Sequence, residues 1–313
     1  MSYVLPVKLE MLWESNNPEV ELRRRFGFAS TNEAQDWVSR VLTIRYGIDV
    51  AVVERMVISA QNLMFWVTSA ASDRLLVKVC RLAEAHAWLT ARSAMVAWLA
   101  GRDVPVATPV RSLDGDQQLL CDGRSVGVQP VLAGELLNTD DLDQVRAAGS
   151  ILARMHIELA HWPDAGLLVD VLPVAGANRL WVYRAGHIDR VPADLQARLE
   201  RRIVDLPELP QQPVHADFRG ANILYQQREI SAVLDFEEAR IDAAVVDLAH
   251  ALCLLGTWYH DWQPISPQAQ WVFLESYSAG RPLTDAEQVW LPPLVGWGML
   301  AQGWWEAAAR WLR

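Results

Sequence analysis

The residue pattern predicts an α+β chain of two lobes, a small β-rich N-terminal lobe followed by a larger, mostly helical C-terminal lobe. Three observations carry this. Short apolar runs rich in β-formers cluster between Val52 and Pro130, helical periodicity dominates beyond Gly134, and a pair of short strands interrupts the helices near residues 214–236. A chain of 313 residues has room for two modest lobes with a sizeable core. Its composition, 51% apolar and 21% charged, is that of an ordinary globular protein.

Residues 1–50 read as an N-terminal helical extension: Ser30, Thr31, Asn32 and Glu33 have the form of a capping box, and Trp37, Val41, Leu42 and Tyr46 follow at helical spacing. The first lobe is expected over 51–131. In it, 63–68 and 75–80 are short apolar runs joined by a polar stretch and read as a hairpin. A helix over 82–101 is stopped by Gly101 and Pro105, and strands at 117–121 and 125–130 surround turns at Asp114–Gly115 and Asp122–Gly123. The second lobe is expected over 132–313. Asp140 caps a helix reaching about His161, and 191–205 is a second helix; strands follow at 214–215, 223–225 and 230–236. Further helices are expected at 243–255, at 267–278 after the cap Ser266, and at 293–312. Trp297, Trp304 and Trp311 recur at seven-residue spacing, as on a helix face packed against a core.

A formal charge of −10 argues against general nucleic-acid binding, which needs a basic footprint. It fits plain solubility first, and also suits a cationic small-molecule partner drawn by long-range attraction. No apolar run reaches membrane-spanning length, since 243–259 is interrupted by Asp247 and His250, and the N-terminus has no secretory-signal pattern. Cys80, Cys121 and Cys253 are far apart in apolar surroundings, so buried free thiols in a reducing cytoplasm are expected.

The strongest signal is Val214–His–Ala–Asp–Phe–Arg–Gly–Ala–Asn–Ile–Leu–Tyr225, followed by Ser231–Ala–Val–Leu–Asp–Phe–Glu237. A phosphoryl group in transfer carries charge on its oxygens; Mg²⁺ must neutralise it while a carboxylate orients the attacking hydroxyl. Asp217 and, five residues on, Asn222 offer one carboxylate for a hydroxyl and one amide oxygen for metal, and Asp235 on the next strand offers a second metal ligand. Asp, Asn and Gly also gather in ordinary turns, so each half alone is weak. Two halves in order, each on an apolar strand, make coincidence improbable.

These motifs resemble the aminoglycoside phosphotransferase family, relatives of the protein kinases, in which His-x-Asp-x-x-x-x-Asn is followed by an apolar strand ending in Asp-x-Asp/Glu. His215, Asp217 and Asn222, then Asp235 and Glu237, meet that pattern. The resemblance implies a two-lobed protein-kinase-like fold, ATP and Mg²⁺ as cofactors, and phosphorylation of an alcohol. It implies Asp217 as base or hydroxyl-positioner, Asn222 and Asp235 as magnesium ligands and Glu237 as an auxiliary. His215 and Asp247 are implied as scaffold, and residues 151–156 resemble the family's helix of that form, read as core.

The resemblance extends to the first lobe. It implies Lys78 at the α- and β-phosphates, Ser59, Ala60 and Gln61 in a phosphate loop that lacks glycine, and backbone groups of Gln129 and Val131 at the adenine edge. Arg219 stands where protein kinases carry a phosphate-directed lysine, so it is expected either at the transferring group or in solvent. One departure is plain: Arg92 occupies the place of the lysine's helical glutamate, leaving Glu84 as the only acid in that helix.

The acceptor lobe is less legible. Asp261, Glu275 and Glu306 are candidate contacts for an amine and Trp271 for a ring or sugar. The expected partner is a hydroxylated, cationic small molecule, and an aminoglycoside or other amine-rich antibiotic comes first, which would make this a resistance enzyme. The alternatives are a metabolic or biosynthetic kinase acting on choline, homoserine, a sugar or a secondary metabolite, and a silent nucleotide-binding protein of the same fold.

Overall fold

A computed structural model of the protein describes residues 7–12, 14–168, 191–258 and 261–313. The reading of the first six residues as free of a secretory signal falls outside these. The chain divides into two compact units, one of Met1–Ala97 with Ala107–Leu132, the other of Trp98–Val106 with Ala133–Arg313.

The first unit is built on a six-stranded sheet. Its strands are β1 (Lys8–Met11), β2 (Val50–Ile58), β3 (Asn62–Ser69), β4 (Arg74–Cys80), β5 (Gln118–Cys121) and β6 (Arg124–Pro130), in the order β1-β2-β3-β4-β6-β5. Alternation explains the buried face: Leu75, Val77 and Val79 of β4 point into a core that also takes Phe65, Val126 and Val128. The two-residue turn closing β5 and β6 has Asp122 and Gly123 both at positive φ (50° and 74°), as a tight hairpin requires. Cys80, Cys121 and Cys253 are buried free thiols, as expected.

Residues 7–50 contribute more than helices. β1 lies parallel to β2, with Lys8 opposite Arg55 and Met11 opposite Ile58, where helix was expected. Nothing in Lys–Leu–Glu–Met favours a strand; the open edge of β2 supplies the partner. The helices α1 (Pro18–Glu21) and α2 (Thr31–Val41) each continue into a π-helical turn that ends at a left-handed glycine, Gly27 or Gly47. Ser30 caps α2 by accepting from Glu33 N–H, as its sequence predicts, while Glu33 accepts from Ala29 N–H. Leu22, Phe26, Trp37 and Leu42 share the core of the sheet. The helix expected at 82–101 is α3 (His86–Ala100), preceded by one 3₁₀ turn.

The second unit is mostly helical, with α4 (Leu142–Ala160), α5 (Ala193–Arg202), α6 (Ala244–Leu254), α7 (Pro267–Gly280), α8 (Asp285–Ala301) and α9 (Trp305–Trp311). The cap of α4 is Asp141, one residue later than expected; its carboxylate accepts from Asp143 and Gln144 N–H. α4 and α7 approach closely at Gly149, where a Cβ would collide with Ser276 and the Phe273 carbonyl. The helix expected at 293–312 is two. Thr284 and Glu287 form a complete capping box that starts α8 early, and Gly303 at φ 77° ends it, so Trp297 and Trp304 do not share a helix face. Among the described residues no helix is long and apolar enough to cross a membrane.

The small strands carry the site. β8 (Gln212–Val214) pairs antiparallel with β11 (Arg240–Asp242), and β9 (Ile223–Gln226) with β10 (Glu229–Val233) and β7 (Glu135–Leu136). β8 does not pair with β9; its partner is a strand beyond the motif. The β9–β10 turn places Gln227 and Arg228 at positive φ without any glycine to announce it.

Candidate active site

That pairing explains why two loops distant in sequence lie side by side. The loop over 215–222 joins β8 to β9, and the loop over 234–239 joins β10 to β11. Each loop therefore bridges the same two antiparallel pairs. Leu234 N–H donates to the Asn222 carbonyl at 2.8 Å and closes the frame.

Within the first loop one oxygen does most of the holding. Asp217 Oδ2 accepts from Arg219 Nε at 3.1 Å and from Asn222 Nδ2 at 2.8 Å, and the same amide group donates to the Asp217 carbonyl at 3.0 Å. Asn222 thus spends both amide hydrogens on Asp217, which leaves its oxygen as the atom for a cation. Arg219 is ion-paired and largely buried rather than in solvent. Burial pushes the Asp217 carboxyl above the ordinary range; Arg219 and His215 oppose this, and the nearby Asp235 carboxylate adds to it. Gly220 cannot be replaced freely, because a Cβ there would lie 2.7 Å from the Leu255 carbonyl.

His215 is a brace. Its Nε2 donates to the Leu234 carbonyl at 2.9 Å, while Nδ1 accepts from Asp217 N–H at 3.1 Å. Those two bonds define its tautomer and commit both nitrogens to backbone. The ring meets Phe236 at a tilt, with centroids 4.5 Å apart, and Phe218 edge-on at 5.9 Å. Beneath the loop, the buried Asp247 on α6 accepts from His215 N–H at 3.0 Å and Ala216 N–H at 2.9 Å. Burial alone would raise the Asp247 pKa, but the hydrogen bond from His156 and the surrounding imidazoles hold it at about 2. Two non-glycine residues adopt left-handed backbone here, Ala216 at φ 67° and Asp235 at φ 61°. Strain of this kind persists only where its surroundings over-determine it.

Asp235 opens the second loop and Glu237 lies half-buried in the single 3₁₀ turn after it, Phe236–Glu238. Among the described residues no group of three or more His, Cys, Asp or Glu could hold a metal. The donor set of Asn222 and Asp235 suits Mg²⁺, which takes few protein oxygens and keeps waters and phosphate oxygens for the rest.

In the first unit, Lys78 sits mid-strand on β4, opposite Met64 of β3 and Gly127 of β6. Ser59 closes the β2–β3 turn: its N–H donates to the Asn62 carbonyl at 2.8 Å and its hydroxyl accepts from Asn62 N–H at 3.3 Å. Gln129 is opposite Leu76 in the sheet, and Val131 N–H donates to the Arg74 carbonyl at 2.9 Å, which leaves the Val131 carbonyl for another partner. Glu84 is exposed in the 3₁₀ turn before α3, and Arg92 is buried with its guanidinium 4.1 Å from the Trp88 ring.

The acceptor candidates are dispersed. Asp261 accepts from Gln263 at 3.2 Å, Glu275 pairs with Arg146 of α4 at 3.6 Å on the surface, and Glu306 is exposed at the start of α9. Trp271, with Pro267, Gln270, Leu274, Arg310 and Trp311, lines a shallow cavity of about 290 Å³. Sequence reasoning took His156 only as core and passed over Tyr277; the histidine within 151–156 was the available signal.

The sequence profile of a phosphotransferase enzyme family matches residues 54–283. A homoserine kinase of Bradyrhizobium sp. (strain BTAi1) is 28% identical over 206 residues, which cover 64% of this chain and 62% of that relative's length. Among solved structures, an amicoumacin kinase in complex with AMP-PNP, Ca²⁺ and Ami superposes with a TM-score of 0.61 at 18% identity, over 90% of this chain and 95% of the other. A microcompartment-associated aminopropanol kinase gives a TM-score of 0.59 at 20% identity, covering 89% of this chain and 93% of the other.

Proposed function

The chain belongs to the phosphotransferase enzyme family, and on that premise we propose that it transfers the γ-phosphate of ATP to a hydroxyl of a small amino alcohol. Its fold is the protein-kinase-like α+β fold expected from sequence. The observation that carries the proposal is the state of Asp217: Oδ2 is fixed by Arg219 and Asn222, so Oδ1 is the oxygen that accepts a hydrogen bond from the acceptor hydroxyl and orients it. Asn222 and Asp235, with Glu237 as auxiliary, would hold Mg²⁺, whose charge offsets that of the phosphate oxygens when it is bound. Arg219 fixes the Asp217 rotamer and brings a positive charge to the loop. His215 and Asp247 hold the loop backbone. Lys78 and the Ser59 turn bind the nucleotide phosphates, and Gln129 and the Val131 carbonyl meet the base.

The acceptor follows from chemistry common to several relatives. Homoserine, the acceptor that several of them are named for, carries an amine and a hydroxyl, and the charge of −10 on this chain favours a partner with a positively charged amine. Homoserine kinases are among the relatives that match in sequence, which favours a small metabolic amino alcohol over the aminoglycoside expected first; the solved structures are too distant in sequence to weigh on the acceptor. The test is a coupled assay of ADP release with Mg-ATP against homoserine, aminopropanol, choline and a set of aminoglycosides. Turnover on a small amino alcohol is expected. Turnover confined to aminoglycosides would reverse the acceptor assignment, and nucleotide binding without turnover on any hydroxylated amine would point to the silent protein.

A further inference from the structure

We infer that the elbow between α7 and α8 is a positioning element for the catalytic loop, acting through a buried chain of hydrogen bonds from Glu287 to Ala216; this rests on the reading of Asp217 as the hydroxyl-orienting group. Every link is in place. Glu287 pairs with Arg281, Oε1 to Nη2 at 2.7 Å and Oε2 to Nη1 at 3.2 Å. Arg281 Nη1 also donates to the Tyr277 hydroxyl oxygen at 3.1 Å, that hydroxyl meets His156 Nδ1 at 2.7 Å, and His156 Nε2 meets Asp247 Oδ2 at 3.1 Å. Asp247 then receives His215 and Ala216 N–H.

With His156 neutral, a single proton arrangement satisfies all of these contacts. The Asp247 carboxylate can only accept, so His156 carries its proton on Nε2 and leaves Nδ1 as an acceptor. Tyr277 oxygen takes a hydrogen from Arg281, and its own proton goes to His156 Nδ1. Asp247, His156 and Glu287 are at most 1% exposed and Tyr277 is fully buried, so no water substitutes for a missing partner. Glu287 is fixed a second time, since it accepts from Thr284 N–H at 2.9 Å in the capping box of α8. The chain therefore ties a surface turn, through α7 and α4, to the two amides that hold Ala216 in its left-handed conformation. Phe273 on α7 adds a second contact to the loop, 6.2 Å from Phe218 between ring centroids.

The test is Tyr277→Phe, which keeps the ring and removes the hydroxyl. Two readouts are taken: hydrogen exchange of the amides at 215 and 216 in the free protein, and kcat and KM with Mg-ATP and the accepted amino alcohol. Loss of the hydroxyl's two hydrogen bonds should speed exchange at those amides and lower kcat about fivefold to tenfold, with KM for ATP within about twofold. Arg281→Met, at a partly buried position beside the surface turn, is the second variant and should give a smaller change of the same kind, also measurable if Tyr277→Phe does not fold. A lower melting temperature with wild-type exchange at 215 and 216 and wild-type kcat would show that the chain only packs the core. If wild-type protein phosphorylates nothing, the phosphotransfer reading fails, while the exchange readout still decides whether the chain holds the loop.

Discussion

Replacing Asp247 with asparagine keeps shape and volume and removes one of two accepting oxygens. In the native protein Oδ2 accepts from His215 N–H and His156 Nε2, and Oδ1 accepts from Ala216 N–H. An amide can mimic only one side. In the better orientation its oxygen keeps the His215 and His156 bonds, and its NH₂ then confronts the Ala216 N–H, donor against donor. The loss is one charge-assisted hydrogen bond plus a buried unsatisfied donor, about 2–4 kcal/mol. Ala216 then has nothing to offset its left-handed backbone, a further strain of about 1–2 kcal/mol. Loop relaxation should cost at least tenfold in kcat through misplacement of Asp217. Stability also acquires a pH signature. The folded Asp247 pKa of about 2 lies below its ordinary value of 3.8, so its contribution is complete above that value and lost as pH falls through about 2. The stability gap between wild type and Asp247→Asn should therefore shrink by about 2 kcal/mol over that window. Urea unfolding at several pH values, with steady-state rates at neutral pH, measures both. A variant within about 0.5 kcal/mol of wild type and fully active would refute the bracing role.

Other perturbations have equally definite outcomes. Asp217→Asn should abolish transfer yet raise the melting temperature at neutral pH. Burial raises the Asp217 pKa, so its charge costs stability that is regained as pH falls, and the amide oxygen can still accept from Arg219 and Asn222; a calorimetric scan that shows a lower melting temperature would contradict this. Gly220→Ala should destabilise by about 1–3 kcal/mol in a urea titration, since its Cβ would meet the Leu255 carbonyl. Arg25→Ala should lower the melting temperature and raise KM for ATP more than KM for the acceptor, because Arg25 donates to the Ser59 carbonyl at 3.2 Å while bound by Glu14 and Glu21.

The parts of this molecule that were legible in sequence are those governed by local chemistry. The hairpin of β3 and β4, the Ser30 and Ser266 caps and the Asp122–Gly123 turn all follow from residues within a few positions of one another. The motif at Asp217, Asn222 and Asp235 was legible because its spacing survives without the fold. What escaped depends on distant partners. β1 exists because β2 has an open edge, and β8 pairs with β11 across the whole motif. The start of α8 was misplaced because Pro293 looks like a first-turn proline, although Thr284 and Glu287 already formed a capping box; Pro292 and Pro293 lie inside the helix. His156 and Tyr277 gave no pattern of their own, since their pairing at 121 residues' separation is set only by the packing of α4 on α7.

The central claim is that Asp217 orients an acceptor hydroxyl toward bound ATP, and one paired measurement tests it most directly. Phosphorylated amino alcohol is quantified by mass spectrometry for wild type and Asp217→Asn at saturating Mg-ATP, with nucleotide affinity measured by calorimetry on both. Product from the wild type, its loss by at least about a thousandfold in the variant, and unchanged nucleotide affinity are predicted. Equal product from both proteins would contradict the account.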